Sequence, residues 1–242
     1  MKSLQLTFAA MLVSMAAAAQ PSFQKDTINT SNGSLVITFV GHASLVFEWN
    51  GEVIHIDPSS READYTKLPK ATMIFITHQH GDHCDPASLK AITTPQTKTF
   101  MSAMAHEKWG QGMVLHIDKK LTINGIKIEV LPAYNLVHKR DSGKPFHPKG
   151  EGNSYLITLD NKRIFIGGDT ENTPEMKALK NIDIAFLPMN LPYTMTPEMV
   201  ADAAKAFKPK ILYPYHYGKT DLNQLLELMK DEKDVEVRIR RM

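Results

Sequence analysis

The stretch "ATMIFITHQHGDHCDP", residues 71–86, joins an apolar run to a dense group of metal-capable side chains. Residues 72–77 form a continuous apolar run, which is typical of a strand buried on both faces. The four side chains that follow within six residues are His78, His80, Asp82 and His83. Because His78 and His80 are two apart at a strand end, their side chains should point to the same side.

These residue types favour a metal site over a polar loop that contains histidines by chance. Gly81 permits a sharp backbone turn, so Asp82 and His83 can point back towards the two preceding imidazoles. Neutral imidazole and carboxylate are the ligands that Zn²⁺ takes when one coordination position stays open for water. Three histidines and one aspartate in six residues are too many for an ordinary solvated loop, so we predict a metal site here.

Two residues further along the chain are candidates to complete such a site. Asp169 follows the apolar run of "FIGGDT" behind two glycines, and His216 ends the apolar run of "YPYHYG". Taken alone, an aspartate after a strand is more often a helix cap, and a histidine at a strand end is often structural. Together with the opening motif, both residues are of the right type and lie at predicted strand ends.

Composition places the chain among ordinary globular proteins. It has 242 residues, 43% of them hydrophobic and 22% charged, which is enough for one large domain or two small ones. The formal net charge of +2 gives no reason to expect nucleic acid or an anionic membrane as a partner. Cys84 is the single cysteine of the sequence, which excludes an intramolecular disulfide.

The N-terminal segment has the pattern of a secretory signal peptide. Residues 1–19 contain a basic start at Lys2, an apolar run and small residues before Gln20. The alternative is a membrane anchor that is never removed, but the apolar run is short for a span. We therefore expect cleavage after Ala19 and an exported protein, periplasmic or secreted, with no membrane association afterwards.

The rest of the chain predicts an α/β protein. After a polar lead-in at residues 21–34, short β-branched runs alternate with tight-turn signals, including two Asn-Gly dipeptides. Strand and helix patterns alternate later, which indicates two β-sheets packed together with helices on the outer faces. We predict one domain over residues 33–242. Residues 135–153 form a long irregular segment, and such loops inside a compact domain usually have a function or are mobile.

The motifs resemble those of a known family. "THQHGDH" resembles the H-x-H-x-D-H signature of the metallo-β-lactamase superfamily, and "GDT" and "YHYG" resemble its later ligand motifs. "FVGHASLVFEWNGEVIHIDP" is similar to the opening hairpins of the branch that includes ascorbate-6-phosphate lactonase-like metal-dependent hydrolases. The resemblance runs from about residue 35 to residue 218. It implies an αββα sandwich of two mixed sheets with the metal site along one edge.

The resemblance also implies a ligand set. His78 and His80 would hold a first metal ion, and Asp82, His83 and His216 a second, with Asp169 between them. The family usually supplies one more histidine to the first metal, but the corresponding segment here reads "LPAYNLVHKR". The candidates for this third ligand are Asn135, His138 and His147. We favour His147, because the proline and glycines that follow it indicate a shaped loop.

Two further residues are predicted near the ligands. Asp57 resembles the family's aspartate that orients a ligand imidazole through a hydrogen bond, although it could simply initiate a turn before Pro58. His42 lies at a predicted turn between strands, where it could face the site or have a structural role.

The predicted activity is hydrolysis of a small ester, lactone or phosphoester by a metal-bound hydroxide. One or two divalent ions would be needed, with Zn²⁺ favoured and Mn²⁺ or Fe²⁺ as alternatives. Asp82 and Asp169 would position the ions and accept hydrogen bonds from the hydroxide. Lys149 and Arg140, among the cations of the long loop, are candidates to bind an anionic substrate, as is Asn135 by position. The alternative for these cations is a solvated loop.

A non-hydrolytic protein on the same scaffold is the competing hypothesis. It could be a metal- or ligand-binding protein, or a di-iron redox protein that needs a flavin partner. A redox site would favour a carboxylate-rich ligand set, whereas this candidate set is mostly imidazole. Metal identity therefore distinguishes the two hypotheses. Neither the physiological substrate nor the oligomeric state follows from the sequence.

Overall fold

The computed structural model describes residues 23–242, so the predicted signal peptide lies outside the described residues. In this range fourteen strands form two seven-stranded sheets. The first sheet contains β1 (Gln24–Thr30), β2 (Gly33–Gly41), β3 (Ser44–Trp49), β4 (Glu52–Ile56), β5 (Met73–Ile76), β6 (Lys98–Met101) and β7 (Met113–Val114). The second contains β8 (Lys120–Ile123), β9 (Ile126–Ala133), β10 (Gly152–Leu159), β11 (Lys162–Ile166), β12 (Ile184–Pro188), β13 (Ile211–Tyr215) and β14 (Glu236–Val237).

Helices flank both sheets. Those that follow strands of the first sheet are α1 (Pro86–Ile92) and α2 (Ala103–Trp109), and a 3₁₀ turn spans Tyr65–Lys67. Those of the second sheet are α3 (Pro174–Lys177), α4 (Pro197–Phe207) and α5 (Leu222–Met229). The prediction of an αββα sandwich with two mixed sheets is therefore confirmed.

Both sheets are built in the same way. In each, the first four strands pair antiparallel and the last three are added in parallel. Tight turns join the antiparallel strands, except β9 and β10, which the long loop of residues 134–151 connects. At the β3–β4 turn, Asn50 and Gly51 have φ angles of +47° and +80°, the left-handed conformations that this hairpin type requires. The parallel strands instead need crossover segments, most of which contain the helices.

The apolar side chains form three layers. The inner layer lies between the sheets and includes Phe39, Tyr155 and Phe186. On the outer side of each sheet, one further layer lies between the sheet and its helices. Because successive strand residues point to opposite faces, Phe186 of β12 packs inwards while its neighbour Leu187 packs under the helices. Burial on both faces explains why the sequence of this strand shows no polar alternation.

Helix starts follow the local signals in the sequence. The Asp85 side chain accepts hydrogen bonds from the backbone N–H groups of Ala87 and Ser88, and Pro86 occupies the first turn of α1. The Thr196 side chain caps α4 in the same way, with Pro197 in the first turn. Both helices begin directly after these capping residues, which are signals that the sequence carries locally.

Several elements differ from the sequence expectation. The polar lead-in contains an edge strand, β1, which pairs with β2. The first sheet therefore begins before residue 33, the predicted start of the domain. The outward face of β1 is solvated, so this strand lacks the apolar pattern that marked the other strands. β6 and α2 were not predicted. Residues 235–240 alternate apolar and charged side chains, a pattern that predicts a strand, but the pairing covers only Glu236–Val237. In residues 23–242, no helix combines the length and apolar character needed to cross a membrane.

Candidate metal centre

The candidate site lies at one edge of the sandwich, where strands of both sheets end. β4 and β5 of the first sheet end just before Asp57 and His78, and β11 and β13 of the second end just before Asp169 and His216. Backbone hydrogen bonds join the sheets there, from His216 N to the carbonyl of His42 at 2.8 Å and from Asn153 N to that of Thr77 at 2.9 Å. Residues far apart in sequence therefore meet at this edge.

The first group of ligand atoms contains three imidazoles and one carboxylate: His78, His80, His147 and Asp169. The Nδ1 atom of His80 lies 3.0 Å from Nε2 of His78 and 3.2 Å from Nε2 of His147. Asp169 Oδ2 is 3.2 Å from Nε2 of His147 and 3.8 Å from that of His78. Four ligands arranged tetrahedrally at about 2.0–2.1 Å from an ion lie about 3.3 Å apart, so these atoms are spaced to surround one ion.

The second group contains His42, Asp82, His83 and His216. Asp82 Oδ2 lies 4.0 Å from Nε2 of His83 and 4.0 Å from Nε2 of His216. The same two nitrogens each lie 3.3 Å from Oδ1 of Asp169. Asp169 therefore presents one carboxylate oxygen to each group, which is the arrangement of a ligand shared by two ions.

Buried side-chain atoms that lack a hydrogen-bond partner show whether metal ions would fit these groups. Nε2 of His83, Nε2 of His216 and Oδ1 of Asp169 are buried, and among the described residues none of them has a hydrogen-bond partner. Buried polar atoms are normally paired. Three unpaired atoms that face one another, all of types that bind Zn²⁺ and similar ions, fit a cation between them.

The electrostatics of the group favour a cation as well. Burial alone would lower the pKa of the His83 imidazole, but the Asp169 and Asp57 carboxylates raise it to about 9. Burial lowers the pKa of His216 to about 4, so this imidazole is neutral at pH 7 and offers a lone pair. Burial opposes the charge of Asp82, yet the hydrogen bond to His42 and the charge of His83 hold its pKa well below the ordinary carboxylate range. Asp82 is therefore ionised at neutral pH.

The Asp57 carboxylate contacts the imidazole of His83. Its Oδ2 lies 2.9 Å from Nδ1 of His83, and it also accepts hydrogen bonds from the backbone N–H and hydroxyl of Thr77, both at 2.7 Å. The Asp57 side chain is fully buried. A carboxylate on Nδ1 leaves Nε2 of the imidazole free to bind an ion and makes it a stronger ligand.

His42 faces the site rather than the core. Its Nε2 lies 3.1 Å from Oδ2 of Asp82, and its ring centroid is 3.8 Å from that of His216. Both histidines have positive φ angles, +52° and +47°, which is uncommon outside glycine and is typical of functional sites. His42 thus contacts two residues of the second group and has a nitrogen positioned among their ligand atoms.

The structure distinguishes the three candidates for the third ligand of the first group. His147 lies in the group through its Nε2. Asn135 instead faces the other side of that ring, with its Oδ1 2.9 Å from Nδ1 of His147. His138 is turned towards Glu171, with Nδ1 2.6 Å from Oε1. Glu171 was not identified from the sequence, because a single buried glutamate carries no local pattern.

A cavity of about 240 Å³ opens over both groups. Its lining consists of His80, Asp82, Arg140, Phe146, His147, Asp169, Asn190, Tyr193 and His216. Of the candidate substrate contacts, the structure brings only Arg140 to this cavity. The Nζ atom of Lys149 lies 2.6 Å from Oε1 of Glu175 and 4.7 Å from the Tyr134 ring centroid, so this ammonium is paired elsewhere. Neither Lys149 nor Asn135 lines the cavity, and both predictions of substrate contact are corrected accordingly.

Three cavity residues were not identified from the sequence: Phe146, Asn190 and Tyr193. The rings of Phe146 and Tyr193 contact each other, with centroids 5.2 Å apart. Phe146 precedes His147 in the long loop, and the other two lie in the connection between β12 and α4. In the sequence, only the prolines at 188, 192 and 197 indicated that this connection has a defined conformation.

Comparisons with known proteins agree with this geometry. A family model described as "Beta-lactamase superfamily domain" matches residues 36–216. A UPF0173 metal-dependent hydrolase of Geobacillus sp. (strain WCH70) is 30% identical over 210 residues, which cover 81% of this chain and 93% of the relative. A relative of the same description from Pelotomaculum thermopropionicum is 29% identical, covering 75% of this chain and 84% of its own length.

Solved structures show the same fold. A crystal structure from Parabacteroides distasonis, provisionally named a metal-dependent hydrolase, is 46% identical and superposes with a TM-score of 0.87, covering 91% of this chain and 99% of its own. CmlA, a diiron β-hydroxylase from Streptomyces venezuelae, is 15% identical with a TM-score of 0.67, covering 86% of this chain and 52% of its own. At that identity, the likeness to CmlA concerns the fold alone.

Proposed function

This chain belongs to the metallo-β-lactamase superfamily, and from that premise we propose that it is a metal-dependent hydrolase of a small ester, lactone or phosphoester. Two divalent ions, most simply Zn²⁺, would be held by the two groups of ligand atoms. The observation that carries this proposal is the position of Asp169, whose two oxygens face the two groups separately. A carboxylate shared in this way is suited to holding two ions side by side under one cavity.

Hydrolysis needs an open position for water and substrate beside the ligands. The cavity over the site meets this need, because residues of both groups line it, among them His80, Asp82 and His216. When bound, divalent ions at such a site lower the pKa of a water to about 7 and polarise a substrate oxygen. The chain's own residues then have to bind the substrate and orient the attacking water.

Asp82 is suited to orient that water. Its side chain is 29% exposed, on the cavity side, whereas Asp169 is 5% exposed. Because Asp82 is ionised at neutral pH, it accepts hydrogen bonds and does not act as an acid. His42 keeps the carboxylate in this orientation through its contact with Oδ2.

The other cavity residues favour a small substrate with an anionic group. The Arg140 guanidinium lies over the Phe146 ring, 5.1 Å from its centroid, and Nη2 donates a hydrogen bond to the Phe146 carbonyl at 3.2 Å. These contacts use part of the guanidinium and leave other N–H groups for a carboxylate or phosphate. The aromatic side chains of Phe146 and Tyr193 would pack against an apolar part of the same molecule.

Metal analysis combined with two ligand variants tests the proposal. We expect the purified protein to contain zinc, and chelator to abolish its hydrolysis of a panel of esters, lactones and phosphodiesters. His80→Ala and Asp169→Asn each remove a ligand atom and should reduce turnover by about 100-fold or more. His116→Ala replaces an exposed histidine outside both groups and should leave turnover unchanged.

Two results would contradict this assignment. Turnover in the ligand variants equal to that of the His116→Ala control would show that these groups are not the hydrolytic site. Two tightly bound irons, with electron transfer from a reduced flavoprotein and no hydrolysis, would favour the redox alternative on this fold.

A further inference from the structure

Asn135 occupies a position from which it determines how His147 is held. Its side chain is buried, and its amide nitrogen donates hydrogen bonds to Oε1 of Glu171 at 3.0 Å and to the carbonyl of Tyr193 at 2.9 Å. Both of these partners are acceptors only, so the amide cannot be reversed without two repulsive contacts. Oδ1 of Asn135 must therefore be the atom that faces His147.

This orientation determines the tautomer of the neutral imidazole. Oδ1 of Asn135 accepts a hydrogen bond from the backbone N–H of His147 at 2.7 Å, and it lies 2.9 Å from the ring Nδ1. Because an amide oxygen only accepts, Nδ1 has to carry the hydrogen. The lone pair of the ring is then on Nε2, the atom that lies among the ligand atoms of the first group.

Glu171 holds both Asn135 and the backbone around it. Its carboxylate is buried and accepts hydrogen bonds from the backbone N–H groups of Leu136, Val137 and His138, at 2.7, 2.7 and 2.8 Å. Glu171 lies two residues after Asp169, so one short segment carries both the shared ligand and the anchor of the loop that delivers His147. The relay runs from Glu171 through Asn135 to His147.

We infer that Asn135 and Glu171 are positioning residues that fix the tautomer and place of His147 and so complete the first metal position. This inference rests on the proposed function, because it assumes that the first group binds an ion. The two metal positions also differ in the group that contacts Nδ1 of a ligand imidazole. His83 has the Asp57 carboxylate on Nδ1, whereas His147 has a neutral amide there.

Metal affinity of the full chain, measured with Zn²⁺ against a competing chelator, tests the relay without any substrate. Asn135→Leu keeps the side-chain size but removes the acceptor on Nδ1, so the affinity for one of two ions should fall by about 10- to 100-fold. His147→Ala should lose the same ion and serves as the reference. Asn135→Asp keeps an acceptor on His147 but puts a carboxylate oxygen against Oε1 of Glu171 and the carbonyl of Tyr193, so it should weaken the same ion as Asn135→Leu.

Two further variants guard against a merely structural effect. Glu175→Gln changes a glutamate four residues away that pairs with Lys149 outside the relay, and it should leave both affinities unchanged. Glu171→Gln puts an N–H group against N–H donors whichever way the amide turns, so it should weaken the same ion as Asn135→Leu. Cobalt spectra of each variant report whether an imidazole has left the first ion. If Asn135→Leu does not fold, the spectrum of Glu171→Gln still tests the relay.

The outcomes are distinct. The relay would be overturned if Asn135→Leu and Glu171→Gln bound both ions as tightly as the unaltered chain. An unaltered chain that binds no divalent ion would overturn both the relay and the proposed function. An unaltered chain that binds two ions but hydrolyses nothing would overturn the proposed function alone, since the relay is judged by affinity.

Discussion

Some side chains of this site could be identified from their neighbours in sequence, whereas others depend on contacts with residues far along the chain. His78, His80, Asp82 and His83 are close together along the chain, so residue type and spacing were enough to identify them. Asn135 and His147 are twelve residues apart, and their roles depend on Glu171, which no motif marks. The structure places His147 in the first group, whereas Asn135 contacts that histidine from outside the cavity.

Arg140 is the residue at which substrate preference can be tested. Its side chain lines the cavity, so Arg140→Ala should raise the KM for an anionic substrate by about tenfold with little change in kcat, because a charge-assisted hydrogen bond is lost in binding. Lys149→Ala is the matched control, since that ammonium is paired with Glu175 outside the cavity. Steady-state kinetics on an anionic ester and its neutral analogue give the comparison.

The effect of Arg140→Ala should also weaken at high salt, because the side chain is exposed and its charge is screened. An equal change in KM for the two variants, or an equal change for the charged and the neutral substrate, would contradict a specific role for Arg140.

Strand ends and the turns after them position the ligands. Gly168 follows β11 and immediately precedes Asp169, and its φ of +62° belongs to the left-handed region. A Cβ atom there would lie 2.8 Å from Cβ of Thr77, which is closer than real contacts of this kind. The glycine therefore lets the second sheet approach β5 of the first, and this approach brings Asp169 to the imidazoles.

Gly168→Ala should destabilise the protein by about 1–3 kcal/mol through backbone strain and also lower its zinc content, because Asp169 is displaced. Gly143→Ala provides the control. Its φ of +80° carries the same kind of backbone strain, but no atom lies within 4 Å of the added Cβ. Urea unfolding of the metal-free variants measures stability, and elemental analysis measures zinc. Equal zinc content in the two variants would show that the close approach at Gly168 does not position Asp169.

At the scale of the whole molecule, polar contacts of Asp26 join the two sheets at one side of the sandwich. Asp26 of β1, at the edge of the first sheet, accepts hydrogen bonds from Nε and Nη2 of Arg240 at 2.8 and 2.7 Å and from the Tyr213 hydroxyl. Burial alone would raise the pKa of Asp26, but these hydrogen bonds and the charge of Arg240 hold it below the usual carboxylate range.

Asp26→Asn should reduce the free energy of unfolding by about 1.5–3 kcal/mol at neutral pH, the usual contribution of hydrogen bonds to a charged group. Glu48→Gln, which breaks an exposed pair with Lys25 at 3.9 Å, should change it by less than about 1 kcal/mol. Urea titrations of the two variants and the unaltered chain measure both effects.

The pH dependence of this contact has a definite sign. A carboxylate with a lowered folded-state pKa stabilises the fold above its unfolded-state pKa, and the contribution is lost as pH falls through the folded-state pKa. The difference between the unaltered chain and Asp26→Asn should therefore shrink in acid. A difference that stays constant down to pH 3, or no difference at neutral pH, would contradict the role of Asp26.

Patterns along the chain were sufficient for the sandwich class, most strand and helix positions and six of the candidate ligand residues. They were sufficient because apolar periodicity, capping residues and the H-x-H-x-D-H spacing are local properties that a short segment carries by itself. The edge strand β1 escaped detection, since a solvated edge needs no apolar repeat.

Folding in three dimensions was needed for the contacts between residues that lie far apart along the chain. The sharing of Asp169 between two groups, the turning of His42 towards Asp82 and the support of His147 by Asn135 and Glu171 are such features. Each joins atoms that are distant along the chain. Their distances are determined by how the strands pair and the sheets pack, and no short stretch of sequence specifies that arrangement.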